Sequence, residues 1–209
     1  MYGDGEMENK PIFIAVVGGI AVGKTTILRK LRELFTDCLV IEENVADNTF
    51  LEDFYSDMKR WAFHSRISTL SMIANNYLRA YCTPTPKVVI LDRCIDELIT
   101  FAQMHYDKGN MSDREFHVYK ELYNSMCQFA PSIDLFVYVN CSVDTSLRRI
   151  QTRARKFEQG ISREYLIALN DYYSAWLSGI DKEKILNVCT DNGIKTEQLR
   201  WDISHKLSL

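Results

Sequence analysis

An apolar run, Ile12 to Val17, leads straight into Gly18-Gly19-Ile20-Ala21-Val22-Gly23-Lys24-Thr25-Thr26, and no other stretch constrains the chain as tightly. Behind it, Ile27, Leu28, Leu31, Leu34 and Phe35 recur at helical spacing. The pattern is G-x-x-x-x-G-K-[ST], set between a buried parallel strand and a helix. Glycines at both ends let such a loop wrap round a polyphosphate with its backbone N–H groups pointing inward. The start of the following helix adds positive potential. Lys24 then reaches the β- and γ-phosphates, and the Thr25 hydroxyl is placed to ligate Mg²⁺. The expectation is a nucleoside triphosphate site built from Gly18 to Thr26.

At 209 residues the chain is long enough for one well-buried α/β domain, expected over 11–209, behind a loose acidic tail over 1–10. The net charge of −3 argues against broad nucleic-acid binding, which needs a basic face. Six scattered cysteines form no C-x-x-C pair and no zinc-like spacing, which points to a reduced, cytoplasmic setting. No apolar run approaches the roughly 20 residues that a membrane span requires, and the first residues resemble neither a signal nor a transit peptide.

Strand patterns over Ile12–Val17, Cys38–Glu42, Lys87–Leu91, Asp134–Asn140 and Lys184–Cys189 alternate with helical ones. The helical patterns cover Thr25–Phe35, Leu51–Tyr81 with a break, Ile95–Asp107, Ser112–Phe129, Val143–Thr152, Arg163–Ser178 and Lys195–Lys206. That alternation predicts a five-stranded parallel sheet with helices on both faces. Ligands of such sheets lie beyond the carboxyl ends of the strands, which singles out Glu43, Asp92, Arg93 and Asp191. Glu43 is either a general base aimed at the phosphates or a solvated strand end. Asp92-Arg93 serves Mg²⁺ and phosphate, or is an internal ion pair. The basic cluster of Arg148, Arg149, Arg153, Arg155 and Lys156 follows the fourth strand, where P-loop kinases carry an Arg-rich lid, here about 153–162. A guanidinium there stabilises charge on a transferring phosphoryl group.

The residues of this lid resemble a known family, the deoxynucleoside kinases, which include the deoxycytidine, deoxyguanosine and deoxyadenosine kinases and the mitochondrial-type thymidine kinases. The run from Arg149 to Ile161, R-I-Q-T-R-A-R-K-F-E-Q-G-I, followed by Glu164-Tyr165-Leu166, is similar to the family's R-I-x-x-R-G-R-x-x-E-Q-G-I and E-Y-L. The similarity covers nearly everything from Ile12 to Leu207. It implies ATP-dependent 5′-phosphorylation of a deoxynucleoside with Mg²⁺. Glu43-Asn44-Val45 stands where the family has E-P-V, so Glu43 accepts the 5′-hydroxyl proton. Asp92-Arg93-Cys94 stands for [DE]-R-S, so Arg93 orients the 5′ end and phosphates while Asp92 helps hold Mg²⁺. Tyr55 and Glu158 match the pair that binds the sugar 3′-hydroxyl, and Phe101 the ring stacked on the base. Asp191-Asn192-Gly193 resembles the loop around the ATP adenine. The family's dimerising region corresponds to Asp57–Tyr81 with Ile95–Asp107, implying a homodimer.

The departures are informative. Asn44 replaces a proline, Ala154 replaces a lid glycine, and Arg66 stands where the family usually has a base-reading glutamine. Glutamine donates and accepts, whereas arginine only donates. Arg66 therefore wants thymine O4 or O2, guanine O6 and N7, or cytosine O2 and N3. Ile73 and Leu98 stand near where the family has an Arg–Asp pair. The lean is toward thymidine, with His64 as the alternative residue facing the base. Two rival readings are a thymidylate-type monophosphate kinase and a non-catalytic nucleotide-binding regulatory subunit.

Overall fold

A computed structural model describes residues 10–43, 47–82 and 86–207. The strands are β1 (Ile12–Val17), β2 (Cys38–Ile41), β3 (Val88–Asp92), β4 (Leu135–Asn140) and β5 (Ile185–Cys189). They pair in the order β2-β3-β1-β4-β5, every pair parallel. The first strand to be made is thus the centre of the sheet, and Ile14, Ala15, Val16 and Val17 have no exposed surface. Burial on both faces is why that segment reads as a continuous apolar run rather than an alternating one.

The period of two appears instead in which side each residue packs. Ile14 and Val16 meet Ile27, Leu28 and Leu31 of α1 (Lys24–Leu34) together with Leu199 and Ile203 of α8 (Thr196–Leu207). Ala15 and Val17 belong to the opposite layer. That layer is formed by α3 (Met58–Cys82), α4 (Leu98–Asp107) and α5 (Asp113–Cys127). The remaining helices are α2 (Leu51–Ser56), α6 (Val143–Arg153) and α7 (Arg163–Leu177). Each fully buried Val or Ile in the two layers contributes about 1.5–3 kcal/mol, so the layers and not the loops hold the frame.

Local signals set the helix starts. Ser112 and Glu115 form a reciprocal capping box on α5, and Ser142 and Ser162 cap α6 and α7 by accepting from the N–H groups of Thr145 and Tyr165. The break expected in the long helical stretch falls at Asp57, whose backbone (φ −148°, ψ 88°) separates α2 from α3. The fourth helix begins at Leu98 rather than Ile95, because Arg93 to Glu97 form the turn that leaves the sheet. Residues 1–9 of the tail expected over 1–10, and Asn44, lie outside the described residues.

Candidate active site

The phosphate loop sits at the carboxyl end of β1 and is held from behind and from the side. A side chain at Gly18 would place its first carbon 2.2 Å from the carbonyl oxygen of Val139 on the neighbouring strand, at φ +142°. Only glycine fits that approach. Gly23, at φ +103°, turns the chain into α1. Arg149 donates from Nη1 to the carbonyl of Ala21 (3.3 Å) and to Thr190 Oγ1 (2.8 Å), and from Nη2 to the Thr190 carbonyl (2.9 Å). Thr190 in turn donates to the Val22 carbonyl at 2.7 Å. Lys24 Nζ donates to the carbonyls of Gly18 (3.0 Å) and Gly19 (2.8 Å), inside the cradle. Burial, reinforced by Arg93, brings its pKa down to about 8 against the pull of Asp92, Glu97 and Glu43.

Opposite the loop, the ends of β2 and β3 bring together three carboxylates and one guanidinium. Arg93 Nε donates to Glu43 Oε2 at 2.7 Å, and its Nη1 donates to Glu97 Oε1 at 3.2 Å and to the Tyr173 hydroxyl at 3.3 Å. Arg93 adopts φ +70°, a left-handed conformation that costs a side-chain-bearing residue about 1–2 kcal/mol. Its N–H donates to the Val16 carbonyl at 3.1 Å, and the two ion pairs hold the rest. Strain of this kind concentrates at functional sites. Burial acts to raise the Glu43 pKa, but the charges of Arg93 and Lys24 outweigh it and leave the carboxyl below its usual value.

Asp92 behaves in the opposite way. Burial pushes its pKa up to about 6. Its Oδ2 accepts from the Glu43 N–H at 3.4 Å, while Oδ1 is buried without a hydrogen-bond partner. Asp92 and Thr25 line the same cavity, and a carboxylate with a hydroxyl is a donor set that Mg²⁺ accepts, since that ion takes one or two protein oxygens and fills its sphere with water and phosphate. Among the described residues no group of three or more His, Cys, Asp or Glu side chains could cage a metal unaided. The site fits a cation that arrives with its nucleotide.

From this polar end a cavity of about 500 Å³ runs between the helices, lined by Tyr55, Arg66, Leu98, Phe101, Glu158 and Tyr165 among others. Glu158 is almost fully buried and is clamped by Arg153 (Nε donating at 2.5 Å) and Arg155 (Nη1 donating at 3.3 Å). Tyr55 stacks on Phe157 with ring centroids 5.9 Å apart, and desolvation pushes its hydroxyl pKa strongly upward. Arg66 is 7% exposed, and its guanidinium lies 5.1 Å from the Phe101 ring and 5.2 Å from Phe54. Arg93 lies 5.2 Å over Phe101 as well, so the ring expected to meet a base is bordered by two cations.

The loop Gly18–Thr26, Glu43, Asp92, Arg93, Arg149, Arg153, Arg155, Glu158, Tyr55, Arg66 and Phe101 thus surround one space, either lining it or bracing residues that do. Two expectations lie elsewhere. His64 is exposed and opens onto a separate groove with Phe50 and Phe63. Asp191, Asn192 and Gly193 do not line the cavity; Asp191 instead accepts from the Ser142 N–H and hydroxyl, both at 2.9 Å, which fixes the start of α6, and hydrogen bonding from Thr145 and Ser142 holds its pKa down to about 2.

Three buried residues went unread in the sequence. Glu97 accepts from the Gly18 N–H at 3.3 Å, from the Tyr173 hydroxyl and from Arg93, joining the loop to the Asp92-Arg93 turn. Tyr173 also reaches the Gly18 carbonyl at 3.1 Å, and Thr190 braces Val22. The one available signal was the spacing of Glu97, four residues after Arg93.

A family model described as deoxynucleoside kinase matches residues 14–207. The chain is 31% identical over 182 residues to a deoxyadenosine/deoxycytidine kinase of Bacillus subtilis, covering 86% of this chain and 82% of that protein. It is 30% identical over 193 residues to a deoxyguanosine kinase of the same organism, covering 88% of each. A deoxyadenosine kinase of Dictyostelium discoideum is 32% identical over 169 residues, 81% of this chain and 68% of its own. Among solved structures, the deoxyadenosine kinase of M. mycoides with products dCMP and a flexible dCDP bound superposes with a TM-score of 0.79 at 25% identity, covering 94% of this chain and 99% of that one.

Proposed function

We propose, for a chain that belongs to the deoxynucleoside kinase family and so is a phosphoryl-transferring enzyme, that it moves the γ-phosphoryl group of ATP to the 5′-hydroxyl of a deoxynucleoside through the residues just described. The observation that carries this reading is the Glu43–Arg93 pair, 2.7 Å apart, facing Lys24 across one cavity. A carboxylate kept ionised by neighbouring cations has a purpose where a neutral hydroxyl must lose a proton. An incoming phosphate is already ionised and would be repelled.

In this mechanism the nucleoside 5′-hydroxyl donates its proton to Glu43 as its oxygen attacks the γ-phosphorus in line with the departing ADP. Lys24, Arg93, Arg153 and Arg155 supply the positive charge that the transferring group needs. Thr25 and Asp92 would hold Mg²⁺, which when bound neutralises charge across the β- and γ-phosphates. Glu158 and Tyr55 receive the sugar 3′-hydroxyl. Glu158 is then an exchange point: the arginines it clamps are released toward phosphate as the 153–162 segment closes over the cavity and excludes water. Asp191 to Gly193 would border the adenine, and α3, where Leu78 is 61% and Tyr81 56% exposed, would carry a homodimer interface.

The finer identity of the base turns on Arg66. Its donors suit thymine, guanine or cytosine acceptors, with the lean toward thymidine, whereas the relatives are named for deoxyadenosine, deoxycytidine and deoxyguanosine. The test is ADP release with Mg-ATP and each of the four deoxynucleosides, with dTMP in parallel. Turnover of a nucleoside and none of dTMP supports the reading. Turnover of dTMP alone moves the chain to the monophosphate kinases, and turnover of nothing leaves only a nucleotide-binding regulator.

A further inference from the structure

Of the four histidines, His105 on α4 is the buried one; it has no exposed surface and meets the Phe54 ring edge-on, with centroids 5.0 Å apart. Both of its ring nitrogens have partners. Nδ1 is 3.1 Å from Asn110 Nδ2, and Nε2 is 3.2 Å from the Tyr165 hydroxyl. The end of the helix explains the first contact. Gly109, at φ +71°, turns the chain so that its N–H donates to the Tyr106 carbonyl (2.9 Å) and the Asn110 N–H to the His105 carbonyl (2.8 Å). That return brings the Asn110 amide back to the His105 ring. The second contact reaches another element. Tyr165 stands in the first turn of α7, where the Ser162 hydroxyl accepts its N–H at 3.1 Å, and it lines the cavity.

Burial, reinforced by Arg66 and Lys108, brings the His105 pKa down to about 3, so the ring is neutral and has one proton to place. An amide nitrogen only donates, so Nδ1 accepts from Asn110 and the ring proton sits on Nε2. Nε2 then donates to the Tyr165 oxygen. Burial lifts the Tyr165 pKa to about 12, so the phenol keeps its own proton. His105 is the one hydrogen-bond partner of that hydroxyl among the described residues, and it leaves the phenolic proton uncommitted. We infer that Asn110 and His105 are positioning residues of the nucleoside site: acting in series, they set the Tyr165 hydroxyl as a donor to an acceptor atom of the bound nucleoside. The inference rests on the kinase reading above. Neither residue lines the cavity itself. With the opposite tautomer Nε2 would take the Tyr165 proton, and the nucleoside would meet only a phenolic oxygen.

The experiment joins NMR of the ring nitrogens to a kinetic cycle. In the wild-type protein the buried ring is assigned through its contact with Phe54, and its nitrogen signals report the tautomer directly. Asn110→Asp is nearly isosteric but only accepts, so it draws the ring proton to Nδ1 and makes Nε2 the acceptor of the Tyr165 proton. Kinetics at saturating Mg-ATP, with the deoxynucleoside the wild type uses best, compare Asn110→Asp, Tyr165→Phe and the double variant. The expected tautomer has its proton on Nε2 in the wild type and on Nδ1 in Asn110→Asp. Each single variant raises the KM for the nucleoside about three- to tenfold with kcat within about twofold, and the double variant is no worse than Tyr165→Phe. A ring proton on Nδ1 in the wild type overturns the proposal and leaves the kinase reading standing. So does an Asn110→Asp effect that persists undiminished beside Tyr165→Phe, the mark of a merely structural or charge effect. Failure of the wild type to use any deoxynucleoside overturns the kinase reading and this proposal with it. The wild-type tautomer decides the matter whether or not a variant folds.

Discussion

Replacing Glu97 with Gln separates what this buried carboxylate does for the reaction from what it does for the fold. Its two oxygens divide three donors: Oε1 takes Arg93 Nη1, and Oε2 takes the Gly18 N–H and the Tyr173 hydroxyl. Glutamine has the same shape but turns one oxygen into an NH₂, so a donor must face a donor on one side or the other. That mismatch costs about 1–3 kcal/mol. Against it, burial holds the Glu97 pKa above its usual value despite Arg93 and Lys24. The ionised group therefore opposes folding at neutral pH, and a neutral amide removes that penalty. The two effects have opposite sign, so the melting temperature of Glu97→Gln should stay within roughly 4 °C of wild type. The reaction has no such compensation. Arg93 loses one of the two carboxylates that aim it, and displacement of a group at the reacting centre costs up to about a hundredfold. The expected result is a kcat lower by 10- to 100-fold, in the sense of roughly 1.4 kcal/mol per decade, with the KM for Mg-ATP changed much less. Wild-type kcat in Glu97→Gln would refute the reasoning. So would a collapse in melting temperature with full activity in the fraction that remains folded.

Three further outcomes follow from the geometry. Glu43→Gln should lower kcat by about 10²- to 10⁴-fold while ATP binding, measured by calorimetry, is retained. Because Asp92 has its pKa raised to about 6, its folding contribution is fully present below its ordinary value near 4 and is lost as pH rises through about 6. Metal-free protein should therefore lose up to about 3 kcal/mol of stability over that interval, a slope that Asp92→Asn abolishes in urea titrations. The same ionisation should give Mg²⁺-dependent turnover an acid limb near pH 6, and EDTA should stop turnover at any pH. Gly18→Ala meets a backbone carbonyl that cannot move without β4, and strain of about 3 kcal/mol should drop the melting temperature by roughly 6–12 °C; an unchanged melt would show that the strands can part.

How much of this was readable beforehand depends on the range over which each residue acts. The phosphate loop was legible because glycines at fixed offsets between a strand and a helix are a local requirement, satisfied or violated within nine residues. The layers were legible because apolar periodicity is also local, and the break at Asp57 displaced a boundary and no element. Arg66 could be aligned from Arg60-Trp61-Ala62-Phe63, yet its lack of an acidic partner is a fact about Leu98 on another helix. Glu97 was hidden for the same reason. Asp96-Glu97 at the start of α4 reads as an ordinary acidic helix entry, and nothing nearby in the chain says that its partners are Gly18 and Tyr173, far away in sequence. Asp191 shows the same dependence on distant partners: its place in a polar turn after the last strand is local, whereas its hydrogen bonds from Ser142 at the start of α6 are not.

The brace of Arg149 and Thr190 behind the phosphate loop also bears on the order of events in making the protein. The glycines and Lys24 leave the ribosome early, but the loop's rear support comes from α6 and from the residue that follows the final edge strand. A nascent chain that has extruded only its first half carries the whole nucleotide motif and lacks the parts that hold it open. The cradle as it is braced here is therefore finished only when β5 has docked beside β4.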